Sequence, residues 1–83
     1  MEFNDLISTE FNNFCNNIKK LRIDNNLTKK AMAEKLKVST RTIRMLENHQ
    51  IPRTLTIEVV LEIMRAFNVD GGDLFKWKIS QSL

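Results

Sequence analysis

Eighty-three residues with 42 % hydrophobic content make one small domain with a modest core. One His, one Cys and no Tyr leave no stock for a nucleophile–base pair or a zinc site, and no Gly-rich phosphate loop precedes a helix. Catalysis, metal binding and a cofactor are therefore not expected. No apolar run exceeds three residues, which argues against a membrane span, and the acidic start MEFNDLISTE does not read as a signal peptide. A lone Cys15 cannot form an internal disulfide, which fits a reducing cytoplasm.

Only two Gly and one Pro interrupt the chain, and no long β-branched run appears, so the expectation is an all-α fold in a single domain, residues 1–83. Charge is unevenly spread. Residues 19–53 hold ten of the thirteen Lys and Arg but only three of the ten acids, Asp24, Glu34 and Glu47. That segment carries +7, against −4 for the rest and +3 for the whole. A basic centre between acidic ends is an electrostatic footprint for a polyanion.

Residues 1–10 read as an N-terminal arm. Phe3, Leu6 and Ile7 either anchor it to the domain or a second subunit, or leave it partly ordered. From about Glu10 to Asn25 the positions Phe11, Phe14, Cys15, Ile18 and Leu21 form one apolar stripe at helical spacing. Cys15 reads as a small core residue. Asn25-Asn26 is a plausible stop, since Asn tolerates the left-handed conformation of a helix cap.

The segment LTKKAMAEKLKVSTRTIRMLEN organises the chain. It reads as a helix over Lys29–Leu36 capped by Thr28, a tight break, and a helix from about Thr40 to Asn48 capped by Ser39. Met32, Ala33, Leu36, Val38, Ile43 and Leu46 supply the inner faces. Ala33 has no bulk, so the second helix can cross close over the first. Lys29, Lys30, Lys37, Arg41 and Arg44 fall outside. A buried apolar elbow with a basic outer face is what a helix-turn-helix needs to lay its second helix in a major groove lined by phosphates.

The connector HQIPRTLT follows. His49 reads as an exposed turn residue, with phosphate contact as the alternative, and Arg53 either reaches a phosphate or is solvated. A helix over Ile57–Phe67, capped by Thr56, is expected to bury Ile57, Val60, Leu61, Met64 and Phe67 and to stop at Asn68. Asp70 reads as the cap of a last short helix, GGDLF. The tail, residues 76–83, changes period: Phe75 to Ile79 alternates apolar and polar, a strand signature that wants a pairing partner in this chain or in a second subunit. The alternative is an extended tail that buries Trp77.

The run IKKLRIDNNLTKKAMAEKLKVSTRTIRMLEN, with IEVVLEIMRAFNVDGGDLF in register behind it, resembles the Cro/C1-type (XRE) helix-turn-helix domain of phage repressors and small bacterial regulators. The likeness covers about Phe14 to Phe75. It implies an all-α, five-helix, lambda-repressor-like DNA-binding domain with, as an option, a short C-terminal β-strand. Three residues depart from the family pattern: Lys29 stands where Gln is frequent, and Lys37 and His49 stand where turn glycines are frequent.

By resemblance, Thr40, Arg41, Arg44 and Met45 hold the base-facing positions. Arg41 and Arg44 suit guanine O6 and N7, while Thr40 and Met45 suit a thymine methyl; Met45 packing inward is the alternative. Lys29, Ser39, Thr42, Asn48 and Arg53 suit the DNA backbone. Arg22 and Glu47 are expected to form a partly buried ion pair between the first and third helices. One domain makes few base contacts, so a homodimer on an inverted repeat is expected, with half-sites about ten base pairs apart. Its interface is expected in the C-terminal half from Ile57 onward, with Phe75, Trp77 and Ile79 of the tail. The resemblance thus implies a cytoplasmic, bacterial or phage transcriptional regulator. Repressor is favoured over activator because the second helix carries only Glu34 against several lysines. The rivals are an antitoxin, or another protein-interaction module of this fold, and a controller protein that both activates and represses.

Overall fold

A computed structural model describes residues 3–76, with side chains from Thr9 onward. Those residues form five helices and no strand: α1 (Phe3–Asp24), α2 (Lys29–Leu36), α3 (Thr40–Glu47), α4 (Ile57–Phe67) and α5 (Gly71–Leu74). The all-α class read from composition is the class observed. Trp77 and Ile79, and with them most of the alternating tail, lie outside the described residues.

The core is one cluster to which every helix contributes. α1 supplies Phe14, Cys15, Ile18 and Leu21; α2 supplies Met32, Ala33 and Leu36; α3 supplies Ile43 and Leu46; α4 supplies Ile63 and Phe67; α5 supplies Leu74. α3 packs on both α1 and α2, α4 packs on α2, and α5 closes the end against α1 and α4. Burial drives Cys15 to an unreactive state, its thiol pushed up to about 11 because the thiolate would lose its hydration.

α1 starts earlier than the apolar stripe indicates. The stripe begins at Phe11, but no Gly or Pro lies between residues 3 and 24, and the helix runs back through the segment read as an arm to Phe3. Its inner face also carries a polar residue that the stripe did not announce. Asn17 is buried, and its Nδ2 donates to the carbonyls of Leu74 at 2.8 Å and Lys76 at 2.9 Å. Asn13 Nδ2 donates to Phe75 O at 3.1 Å. These amides satisfy the carbonyls that α5, one turn long, leaves open at its C-terminus. Phe75 stacks on Phe14, ring centroids 5.1 Å apart.

The first four helices share one device at their C-terminal ends. Asn26, Lys37, His49 and Asn68 all have positive φ, between 52° and 61°, and none is glycine. At Lys37 the two bonds of the Schellman motif are present: Val38 N donates to Ala33 O at 3.0 Å and Lys37 N to Glu34 O at 3.3 Å. The same pair recurs around His49, where Gln50 N donates to Met45 O at 2.8 Å and His49 N to Leu46 O at 3.0 Å. Lys37 and His49 thus keep the left-handed backbone that glycine would adopt at no cost, and the tight break between α2 and α3 survives its loss.

α4 turns a different face inward from the one expected. Val59, Ile63 and Phe67 are buried and Val60 and Met64 are half-buried, while Ile57 and Leu61 are exposed at 76 % and 43 %. The helix is apolar almost all round, so two overlapping stripes fit its sequence. Packing against α2 and α5 selects the second stripe and leaves Ile57 and Leu61, one turn apart, on the outside. Asp70 occupies the cap position of α5, but its side chain makes no capping bond.

Candidate nucleic-acid interface

The two-helix elbow is built from caps inward. Thr28 Oγ1 accepts the Ala31 N–H at 3.0 Å and Ser39 Oγ accepts the Thr42 N–H at 3.2 Å, so α2 and α3 both start where sequence places them. α3 is sharply two-faced. Ile43 and Leu46 are fully buried against α1 and α2. Arg41 and Arg44 are exposed on the opposite side, with Thr40 and Met45 half-buried beside them. Lys29, Lys30 and Lys37 are exposed on and just beyond α2. Ser39, Asn48 and Arg53, the other residues read as backbone contacts, are exposed as well.

An ion pair holds α3 onto α1. Arg22 Nε donates to Glu47 Oε2 at 2.7 Å and Arg22 Nη2 to Glu47 Oε1 at 3.1 Å, a two-pronged contact. Arg22 Nη1 also donates to Leu27 O at 3.0 Å, in the turn before α2. One guanidinium therefore ties the end of α1, the α1–α2 turn and the last turn of α3 together.

Two residues sit differently from their reading. Thr42 is not a surface group: it is only 2 % exposed, and its hydroxyl lies 3.0 Å from Ser39 Oγ and 2.8 Å from Thr54 Oγ1. It falls on the inner face of α3, one residue from Ile43. Phe75 is half-buried against Phe14 and so belongs to the domain's own packing rather than to an open interface. His49 is exposed and tied back to α1, its Nδ1–H donating to Asn12 Oδ1 at 2.8 Å.

Beside α3 runs an open groove of about 520 Å³. It is lined by the cap residue Ser39, by Arg41, Thr42 and Met45 of α3, and by Ile51, Pro52, Arg53 and Thr54 of the connector. Ile51, one of its lining residues, is 68 % exposed. The sequence reading passed over both Ile51 and Thr54. Neither breaks a helical or strand period, so only the folded connector shows them beside α3. Among the described residues no group of three or more His, Cys, Asp or Glu gathers as a metal site, and no helix is long and apolar enough to cross a membrane.

Residues 18–74, more than half of the chain, match the helix-turn-helix family model. The chain belongs to the Cro/C1-type helix-turn-helix family. No curated protein and no solved structure matches it significantly. The matched span of this helix-turn-helix domain begins at Ile18, inside α1, and ends at Leu74, the last residue of α5, so it takes in the whole elbow and the helices that brace it. The domain is that of a DNA-binding helix-turn-helix regulator, a family whose ligand is double-stranded DNA.

Proposed function

We propose that this helix-turn-helix protein is a dimeric transcriptional repressor that reads an inverted repeat with α3 in the major groove. One observation carries the reading: Arg41 and Arg44 stand exposed on α3 while Ile43 and Leu46 pin its other face to the core. A rigidly held helix that offers arginines outward suits direct readout, because a guanidinium can donate two bonds to guanine O6 and N7. Thr40 and Met45 flank them for contact with a thymine methyl. Lys29, Ser39, Asn48 and Arg53 surround that face and serve the phosphate backbone, which sets register without reading sequence.

Dimerisation is assigned to the outer face of α4. Ile57 and Leu61 are large apolar side chains left in solvent one helical turn apart, and a second copy can cover them across a two-fold axis. Two α3 helices about 34 Å apart then meet successive major-groove faces, and half-site centres fall about ten base pairs apart. Only α2's Glu34 offers an acid on its side of the elbow, which favours repression by occupancy over recruitment. The protein acts in a bacterial or phage-infected cytoplasm, and its own concentration sets how far the operator is filled.

The test is selection of bound duplexes from a random library, followed by titration of the winner at two salt concentrations. An enriched inverted repeat bound far more tightly than random DNA is the expected result. Salt-sensitive binding with no enriched site would overturn sequence-specific repression and bring forward a protein partner, as in an antitoxin.

A further inference from the structure

Three hydroxyls form a chain beneath the groove beside α3. Ser39 Oγ caps the helix, Thr42 Oγ1 lies 3.0 Å from it, and Thr54 Oγ1 lies 2.8 Å further on. The first two belong to α3 and its cap. The third belongs to the connector, twelve residues along the chain from Thr42. A buried hydroxyl is costly unless it is bonded, and a valine would fill the same volume without that demand. The Thr42 hydroxyl is therefore present for what it holds.

What it holds is a tight turn. Leu55 N donates to Pro52 O at 3.1 Å, which closes a four-residue turn over Pro52–Leu55. Arg53 is the second residue of that turn and Thr54 the third. Fixing Thr54 from below orients the peptide that carries Arg53. Arg53 itself is exposed, lines the groove together with Arg41, and has no ion pair among the described residues.

We propose that Thr42 is a positioning residue for DNA binding: through Thr54 it sets the Pro52–Leu55 turn so that Arg53 meets a phosphate at the edge of the major groove. This rests on the DNA-binding reading above. The hydroxyl is coupled to an electrostatic contact that it does not itself make. Its loss therefore has a signature that ordinary destabilisation lacks, a shallower dependence of affinity on salt.

The experiment measures affinity of the full chain for the duplex selected by the native protein, across a range of salt concentrations. Native protein, Thr42→Val, Thr42→Ser, Arg53→Ala and the Thr42→Val/Arg53→Ala pair are compared. Arg53→Ala should lower the salt slope by about one per protomer, as loss of a single phosphate contact does. Thr42→Val should lower it by a similar amount and weaken binding about three- to ten-fold at low salt. The double variant should be little worse than Arg53→Ala alone, and Thr42→Ser, which keeps the hydroxyl, should restore the native slope. Thr54→Ala breaks the chain from its exposed end and gives the same signature if Thr42→Val does not fold. An unchanged slope in Thr42→Val and Thr54→Ala, or full additivity with Arg53→Ala, would overturn the coupling while leaving DNA binding intact. A native protein that binds no duplex would remove the functional reading first, and the coupling with it.

Discussion

Arg22 grips both carboxylate oxygens of Glu47, at 2.7 and 3.1 Å, and its third nitrogen holds the carbonyl of Leu27. The Glu47 side chain is 4 % exposed and that of Arg22 15 %. The pair therefore sits at the seam where the DNA-facing helix meets the rest of the domain. Removing one partner strands a charge in a nearly dry site. Glu47→Ala and Arg22→Ala should each cost about 3–5 kcal/mol of stability, measured by urea unfolding. The joint replacement Arg22→Met/Glu47→Leu should cost much less than the two losses added together, because no charge remains to be stranded. Simple additivity in that cycle would show that the two residues do not act as a pair.

Lys37 and His49 hold the positive-φ positions that close α2 and α3, at 61° and 58°. A side chain with a Cβ is strained there by roughly 1 kcal/mol. Lys37→Gly relieves the strain, although it also loosens the unfolded chain and so gives back part of the gain. The net expectation is stabilisation of about 0.5 kcal/mol, visible as a raised denaturant midpoint with an unchanged slope. Lys37→Ala keeps the Cβ and should show no such gain. If glycine and alanine behave alike, the left-handed conformation is not the source of the strain.

The elbow was legible in sequence because its signals are local. Thr28 and Ser39 are caps that act within one turn, and the Met32–Leu36 and Ile43–Leu46 spacings fit only one face each. Asn26 and Asn68 stop their helices for reasons contained in a single residue. α4 was legible in extent but not in orientation. Its apolar residues cover most of its circumference, and which stripe goes inward depends on where α2 and α5 pack against it. Asn17 was not legible because its partners, the carbonyls at the end of α5, are 57 and 59 residues distant. Thr42 looked like a surface contact because Ser39, Arg41 and Arg44 around it are exposed, while its own position shares the inward side with Ile43.

Arg44 is exposed in the middle of α3, and Arg41 lies one turn earlier on the same side. If Arg44 reads a guanine, Arg44→Ala should cost about 1–3 kcal/mol on the selected site and far less on random duplex. Equal losses on both would make Arg44 a phosphate contact. Fluorescence anisotropy on both duplexes over a range of salt separates the two, since the phosphate part of the affinity changes with salt and the base-specific part does not.

Cys15 offers a pH test of the core itself. Burial pushes its thiol up to about 11 from an ordinary value of 9.0. The folded state therefore holds the proton more tightly than the unfolded state. That preference is fully present below pH 9 and is lost as pH rises through about 11. Between those values native protein should lose stability faster than Cys15→Ala, which has no thiol to ionise. Every other side chain is common to both proteins, so the difference between the two curves is the measurement. A thiol reagent at pH 8 should also label folded protein far more slowly than urea-unfolded protein. Parallel stability curves and equal labelling would show that Cys15 is open to solvent.

Leu61 decides whether α4 is a dimer surface or only an exposed apolar face. Single exposed hydrophobics are ordinary, but Ile57 and Leu61 stand one turn apart on the same outer side and add up to a patch. Leu61→Glu places a charge at that patch without touching the buried Val59, Ile63 and Phe67. Two copies of this residue would face each other near the two-fold axis, so the charge is met by its own image. The variant should sediment as a monomer at concentrations where native protein is a dimer, with its helical circular dichroism unchanged. It should still bind a single half-site, and it should lose the extra affinity that a full inverted repeat gives two linked domains. If Leu61→Glu remains dimeric, the interface lies elsewhere. If both proteins are monomers that bind full and half-sites alike, the inverted-repeat reading fails and each domain reads its site alone.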